Sequence, residues 1–258
     1  MPIITLTSDW GLKDHYLGAV KGTILSYLPE VRIIDISHNI NPFDVEQAAF
    51  VLKNSYKSFP KGTIHIIGLS TEESDKYPHT IICHEGHYFI GTDTGVFSMI
   101  FEKTPDEIYE LDIPQDSDHF TFSSRDRFVK AAVHIAKGKK LEELGNKKKS
   151  INKKILFRPV VDNNLIKGLV IYVDEYENII TNISEKLFRE VRKNKKFSIM
   201  FRGESVKKVY SSYNDVSVGE IVAIFNSMDL LEIAMNQGKA SSLLGLSVDD
   251  SVMIEFEE

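Results

Sequence analysis

The first seventy residues alternate between two hydrophobic periodicities, and that alternation limits the fold more than any other feature of the chain. Apolar runs at residues 3–6, 31–36 and 63–67 have the length and β-branched content of buried strands. Between them the spacing changes to threes and fours. Leu17, Val20, Ile24 and Leu28 follow Asp14, a candidate helix cap, and Pro29 ends the pattern. Val45, Ala48, Ala49, Leu52 and Tyr56 share one face of a second helix over residues 44–57. Strands joined by helical crossovers pair in parallel, so the opening region reads as an α/β domain on a parallel sheet.

A hairpin-like pair follows at residues 80–83 and 88–90, turning through Glu85-Gly86. Ser123 or Ser124 then caps a helix carrying Phe128, Val129, Ala132, Val133 and Ala136. Five lysines within residues 146–154 read as a solvated linker rather than a nucleic-acid patch. Beyond it, short strand-like runs dominate, at 154–157, 168–173, 197–201, 206–210, 221–225, 231–234 and 252–256, with one helix near 184–193. That rhythm predicts a smaller antiparallel, barrel-like β domain. The expected organisation is an N-terminal α/β domain over 1–146, a lysine-rich linker over 147–154 and a C-terminal β domain over 155–258.

Several function classes are argued against. A net charge of −6 over 258 residues is a poor match for duplex nucleic acid, which needs a concentrated basic face. No apolar run approaches 18 residues, so no membrane span is expected, and the start Met1-Pro2-Ile3-Ile4-Thr5 carries no signal-like leader. Cytoplasm is the expected location. The single cysteine, Cys83, reads as a buried structural thiol. His84 and His87 read as solvated hairpin residues rather than metal ligands. No Gly-x-Gly-x-x-Gly follows the first strand, Lys21-Gly22-Thr23 lies inside a helix, and no Gly-x-Ser-x-Gly elbow occurs.

Two polar turns end apolar runs where a scaffold presents side chains to a ligand: Thr7-Ser8-Asp9-Trp10-Gly11 and Asn226-Ser227-Met228-Asp229. Asp9 sits just past the first strand, where a carboxylate accepts two hydrogen bonds from a ribose 2′,3′-diol. A turn-forming aspartate is the plainer reading of the same residue. A third polar turn, Asp174-Glu175-Tyr176-Glu177-Asn178, offers in-plane donors and acceptors, and with Phe43 and Tyr176 it suits a purine.

The joint pattern resembles the S-adenosylmethionine hydroxide adenosyltransferase (SAM hydrolase) family, which also includes fluorinase and chlorinase. The matching segments, in order, are Ser8-Asp9-Trp10-Gly11 with Asp14, Tyr16-Leu17-Gly18 and Lys21-Gly22, then Asn41-Pro42-Phe43-Asp44-Val45-Glu46, Gly91-Thr92-Asp93-Thr94-Gly95, Thr121-Phe122-Ser123-Ser124-Arg125-Asp126, Asp174 through Asn182 and Asn226 through Asn236. The resemblance implies S-adenosyl-L-methionine as substrate, no cofactor, and a homotrimer with ligand between neighbouring subunits. By the same resemblance Asp9 grips the ribose diol, Phe43 packs near it, and Asp174 and Asn178 serve the methionine amine and adenine. Ser227 would take the methionine carboxylate, while Met228 and Met235 stand where some relatives carry arginine.

Hydrolytic relatives use an Asp, Arg and His trio, and the matching positions here are Ser70, a site near Tyr77, and Ser123. Glu72, Glu73 or His119 would have to substitute. Ser124, expected at a helix N-terminus, would orient the nucleophile and stands where fluorinase has serine. The catalytic candidates are therefore Ser70, Glu73, Ser123 and Ser124. The expected reaction is hydrolysis of S-adenosyl-L-methionine to adenosine and methionine, with a catalytically silent sensor or sequestering protein and a halogenase as the alternatives.

Overall fold

The opening apolar run forms strand β1 (Ile3–Ser8) at the heart of a sheet whose paired neighbours come from 29 to 60 residues downstream. The computed structural model describes residues 1–115, 120–155 and 157–257, and the chain divides into two units, Met1–Ile155 and Leu156–Glu258. His119 lies outside the described residues.

The first unit adds β2 (Arg32–Ser37), β3 (Ile64–Gly68), β4 (His79–His84), β5 (His87–Thr92), β6 (Glu107–Leu111) and β7 (Gly145–Lys147). Among the described residues these seven strands run β2-β1-β3-β5-β4-β6-β7. The pairs β2·β1, β1·β3 and β3·β5 are parallel, whereas β5·β4, β4·β6 and β6·β7 are antiparallel. The sheet is therefore parallel where helices α1 (His15–Tyr27) and α2 (Val45–Lys53) connect the strands. It turns antiparallel at the β4–β5 hairpin, whose Glu85 and Gly86 both hold positive φ (+49° and +85°), the twist a two-residue hairpin turn requires.

Strand residues alternate between two cores. Ile4, Leu6, Ile64 and Ile66 pack with Val20 and Ile24 of α1 and with α4 (Val129–Ala136). Ile67, Ile82 and Phe89 face the other way, onto Ala48, Ala49 and Leu52 of α2 and Phe97 of α3 (Val96–Ile100). Each such fully buried aliphatic side chain stabilises the unit by roughly 1.5–3 kcal/mol. Asp44 caps α2 by accepting the Gln47 N–H at 2.9 Å, but Asp14 precedes α1 without a side-chain cap bond.

The second unit contains β8 (Val160–Asp162), β9 (Leu165–Val173), β10 (Ile179–Ser184), β11 (Phe197–Phe201), β12 (Glu204–Val206), β13 (Ile221–Phe225), β14 (Leu230–Met235) and β15 (Ser251–Phe256), with helices α5 (Glu185–Arg192) and α6 (Ala240–Leu244). The strands run β12-β11-β15-β9-β10-β14-β13, with β8 on β9, and every pair is antiparallel. Tyr210, beyond β12, bridges to Ile224 of β13, so the two edges approach and the sheet is nearly closed.

The structure departs from the sequence reading at several places. The second helix stops at Lys53, and residues 56–58 form a separate tight turn. The described residues of 154–157 form no strand, and of 206–210 only Val206 and the Tyr210 bridge pair with neighbours. His84 and His87 are buried rather than solvated, because Phe101 covers one and His65 bonds the other. Cys83 is half-buried, not fully enclosed. The lysine-rich stretch is fastened to the first unit: Lys147 ends β7, Asn152 donates its N–H to Asp93 at 2.7 Å, and Lys154 donates to Ser98 Oγ at 2.9 Å.

Candidate active site

Strands β1, β2, β3 and β5 run the same way, so their carboxyl ends share one edge of the first sheet. The loops leaving that edge line an open cleft of about 1220 Å³. Asp9, Trp10, Asp14 and Tyr16 follow β1, Pro42 and Phe43 follow β2, and most of loop 70–77 follows β3. Thr121 and Phe122 close one side, and Asn152, Lys153 and Lys154 form a rim.

Asp9 Oδ2 accepts the Phe43 N–H at 2.9 Å, which ties the first two loops together and leaves the second carboxylate oxygen open to a ligand. The turn carrying Asp9 is clamped by His38. Its Nδ1 bonds Ser8 Oγ at 2.6 Å, its carbonyl accepts the Gly11 N–H at 2.8 Å, and its ring stacks under Trp10 at 6.0 Å and 11°. His38 is held in turn by Asp35, 3.1 Å from Nε2. The Trp10 indole lies so close to β3 that a Cβ on Gly68 would stand 2.2 Å from it, so only glycine permits this packing.

Two non-glycine residues of the cleft hold left-handed backbone, Phe43 at φ +66° and Ser70 at φ +46°. Such conformations cost of order 1–3 kcal/mol each and concentrate where ligands bind. Phe43 also exposes 77% of its surface, unusual for a phenylalanine beside a polar cleft. Ser70 and Glu73 both line the cleft.

Ser123 and Ser124 do not line it; they are buried just beyond Thr121 and Phe122. Residues Ser124–Phe128 wind as a widened π-type turn before α4, a form frequent at functional sites. The Arg125 and Asp126 N–H groups already donate to Phe122 O at 3.0 and 3.1 Å. The Ser124 hydroxyl, fully buried and without a hydrogen-bond partner among the described residues, is the group left over.

Glu73 is flanked by two cations or potential cations. Its Oε2 pairs with the Arg127 guanidinium, and its Oε1 lies 3.7 Å from His79 Nδ1. Burial lowers the pKa of His79 despite the opposing pull of Glu73 and of its bond to the Thr71 carbonyl. Burial raises that of Asp93, against the N–H donated by Asn152. Asp93 thereby fixes the lysine rim against the sheet.

The remaining expected residues belong to the second unit. Asp174 is occupied by its own turn: its Oδ1 accepts the N–H groups of Tyr176 (2.9 Å) and Asn178 (2.8 Å), and its Oδ2 accepts from Asn178 Nδ2 at 3.0 Å. Tyr176 is 77% exposed and Asn178 is buried. The β10·β14 register puts that turn at the start of β10 and the exposed Ser227 loop near its end, with Ser184 opposite Leu230. Between them lies Glu232, buried at 3% exposure, accepting from Tyr213 Oη at 2.6 Å and Asn226 Nδ2 at 3.0 Å.

Asp9, Phe43, Ser70 and Glu73 thus share one cleft, while Asp174, Tyr176, Asn178 and Ser227 are arrayed along one strand of the second unit. Trp10, Tyr16 and Phe122, given no role from the sequence beyond their place in the matching segments, also line the cleft, and His79 and Arg127, not singled out at all, stand against Glu73 behind it. Two aromatic rings of this group meet edge to face, Tyr16 and Phe122 at 5.3 Å. Among the described residues, no group of three or more His, Cys, Asp or Glu side chains is arranged to hold a metal ion.

Comparison with known proteins gives one consistent result. The family model described as SAM hydroxide adenosyltransferase N-terminal domain matches residues 4–145, and that described as SAM hydroxide adenosyltransferase C-terminal domain matches residues 168–253. A relative in Methanocaldococcus jannaschii, named (R)-S-adenosyl-L-methionine hydrolase, is 30% identical over 99% of this chain and 97% of its own length. A fluorinase of Nocardia brasiliensis is 27% identical over 98% of this chain and 97% of its own. The crystal structure of an uncharacterized conserved protein from Thermotoga maritima superposes with a TM-score of 0.89 at 31% identity, covering 98% of this chain and 99% of that one.

Proposed function

The chain belongs to the SAM hydroxide adenosyltransferase family, and from that premise we propose that it hydrolyses S-adenosyl-L-methionine to adenosine and L-methionine by attack of water at the ribose C5′. The observation that carries this reading is the clamped, half-committed Asp9 carboxylate at the carboxyl edge of the sheet, in a cleft large enough for a nucleoside. Its open oxygen suits a ribose diol. The exposed Phe43 ring, held by the same hydrogen bond, covers the sugar.

The chemistry asks little of the protein beyond alignment. Methionine leaves as a neutral thioether, so no general acid and no cofactor is needed. As water attacks, the sulfonium charge disappears, and a cleft that shields the reactants from bulk water favours that change. Thr121, Phe122, Trp10 and Tyr16 supply the apolar wall, and the unpartnered Ser124 hydroxyl behind it would orient a water or ligand atom, with Ser123 and Ser70 beside the same wall. In the second unit Asp174, Tyr176, Asn178 and Ser227 would serve the methionine and adenine groups. We further propose a homotrimer in which a neighbouring copy supplies that surface, with cytoplasmic location.

Incubation of the purified protein with S-adenosyl-L-methionine, with adenosine and methionine followed by chromatography, tests the reaction. Adenosine in proportion to enzyme is expected. Binding by calorimetry without adenosine above a heat-killed control identifies a silent binding protein, and a halogenated nucleoside appearing only with added halide identifies a halogenase. Light scattering tests the trimer.

A further inference from the structure

We propose that Glu73 is the group that takes the proton from the attacking water, with His79 and Arg127 as its positioning residues; this rests on the hydrolytic reading above. The three come from separate segments, loop 70–77, the start of β4 and the turn before α4, and meet at the cleft wall. Glu73 is the member that reaches the cleft, its side chain 37% exposed, while His79 is fully enclosed behind it.

The hydrogen bonds fix which atoms carry protons. His79 Nε2 lies 2.9 Å from the Thr71 carbonyl, which only accepts, so Nε2 carries the hydrogen. In the neutral ring Nδ1 then presents a lone pair, and it finds no hydrogen-bond partner among the described residues. It faces Glu73 Oε1 at 3.7 Å, so two acceptors confront each other with no proton between them. The Arg127 guanidinium, bonded to Glu73 Oε2 and to the Leu111 carbonyl at 3.2 Å, holds the carboxylate in place despite that repulsion. The Phe128 ring closes the far side of His79, 4.8 Å between centroids.

A proton arriving on Oε1 turns this repulsion into an O–H···N hydrogen bond. As the water oxygen bonds C5′, the C5′–S bond breaks with its electron pair going to sulfur, and a water proton moves to Glu73, shared with His79 Nδ1. It is released to solvent before the next turnover. Net, sulfonium and water give adenosine, methionine and one proton.

Glu73→Gln separates this role from a purely structural one, because the amide oxygen still accepts from Arg127 but takes no proton. The expected result is a kcat about 100-fold lower, with the KM for S-adenosyl-L-methionine within threefold and the thermal midpoint nearly unchanged. His79→Gln keeps a donor for Thr71 and removes Nδ1. It should lower kcat about tenfold with the KM within threefold, a split that general loosening of the cleft would not give. Arg127→Lys should retain more kcat than Arg127→Met. Wild-type turnover with Glu73→Gln equally active overturns the proposal and leaves the hydrolytic reading standing, as does a kcat loss matched by loss of the fold in Glu73→Gln with an unchanged kcat in His79→Gln. A wild-type protein that makes no adenosine overturns both.

Discussion

The two units treat their buried polar groups in opposite ways. In the first, the hydroxyls of Thr7, Thr92, Thr94 and Ser124, the Nδ1 of His79 and one oxygen of Asp93 are buried without hydrogen-bond partners among the described residues. No such atom occurs among the described residues of the second unit, where Asp174 and Glu232 are surrounded by their own donors. An unsatisfied buried polar group costs about 1–3 kcal/mol. The first unit therefore carries a cost that a ligand or ordered water can relieve, whereas the buried polar groups of the second are satisfied within it. Substitutions at the cleft carboxylate of the first should act on ligand, and those in the buried Glu232 network of the second on stability.

The largest effect that sharpens the contrast is expected from Asp9→Ala. Loss of two charge-assisted hydrogen bonds to a ribose should weaken adenosine binding about 100-fold or more, read by calorimetry. The thermal midpoint should move by no more than a few degrees, and Asp9→Asn, which still accepts from Phe43, should fall between. Undiminished affinity breaks the assignment of Asp9 to the ligand. In the second unit, Glu232→Ala strands the Tyr213 hydroxyl and the Asn226 amide, and should cost about 2–3 kcal/mol in denaturant unfolding. A neutral result there removes the claim that this unit is stabilised by its satisfied network.

A third effect concerns pH. Thr5 Oγ1, His65 Nδ1 and His65 Nε2 to His87 Nδ1 form a buried chain in the first unit, at 2.7 and 3.2 Å. Burial, and then the neighbouring His87, push the His65 pKa from 6.5 down to about 3. The unfolded chain takes up a proton that the folded one refuses. Stability from this group is therefore complete above pH 6.5 and is lost as pH falls toward 3. Between pH 6.5 and 4.5 the loss should be about 2 kcal/mol, and a His65→Asn variant should show a flatter profile. The smallest effect is expected from Ser124→Ala. Deleting an unpartnered buried hydroxyl should leave stability unchanged or raise it by about 1 kcal/mol while reducing turnover. A clear loss of stability breaks the reading of Ser124 as a group waiting for a ligand.

Much of the fold was legible in the sequence because it is locally written. The alternation of periods from β1 to β3 depends on neighbours three or four positions apart, and the structure reproduces it. β10 was not legible because Thr181 and Asn182 look like turn residues. In the sheet their side chains bond backbone instead, Thr181 Oγ1 to the Leu231 carbonyl and Asn182 Oδ1 to the Leu169 N–H, both at 2.9 Å. β6 and β7 were missed because their pairing with distant strands, not their composition, makes them strands. At the cleft, Asp9 announces itself by following a strand end, whereas Ser70 is marked by the family resemblance alone. Arg127 does not: it reads as one more charge in Arg125-Asp126-Arg127, and its meeting with Glu73 spans 54 positions that no local signal connects. His79 was equally hidden, since its meaning lies in a tautomer fixed by the Thr71 carbonyl.

The rim formed by Asn152–Lys154 has a consequence for biosynthesis. Because these residues fasten to Asp93 and Ser98, the last piece of the first unit to leave the ribosome completes its opening. The other walls, from Asp9 to Phe122, precede it in synthesis, so the fastening of the rim is the step that a molecule held in the completed recess would favour by mass action.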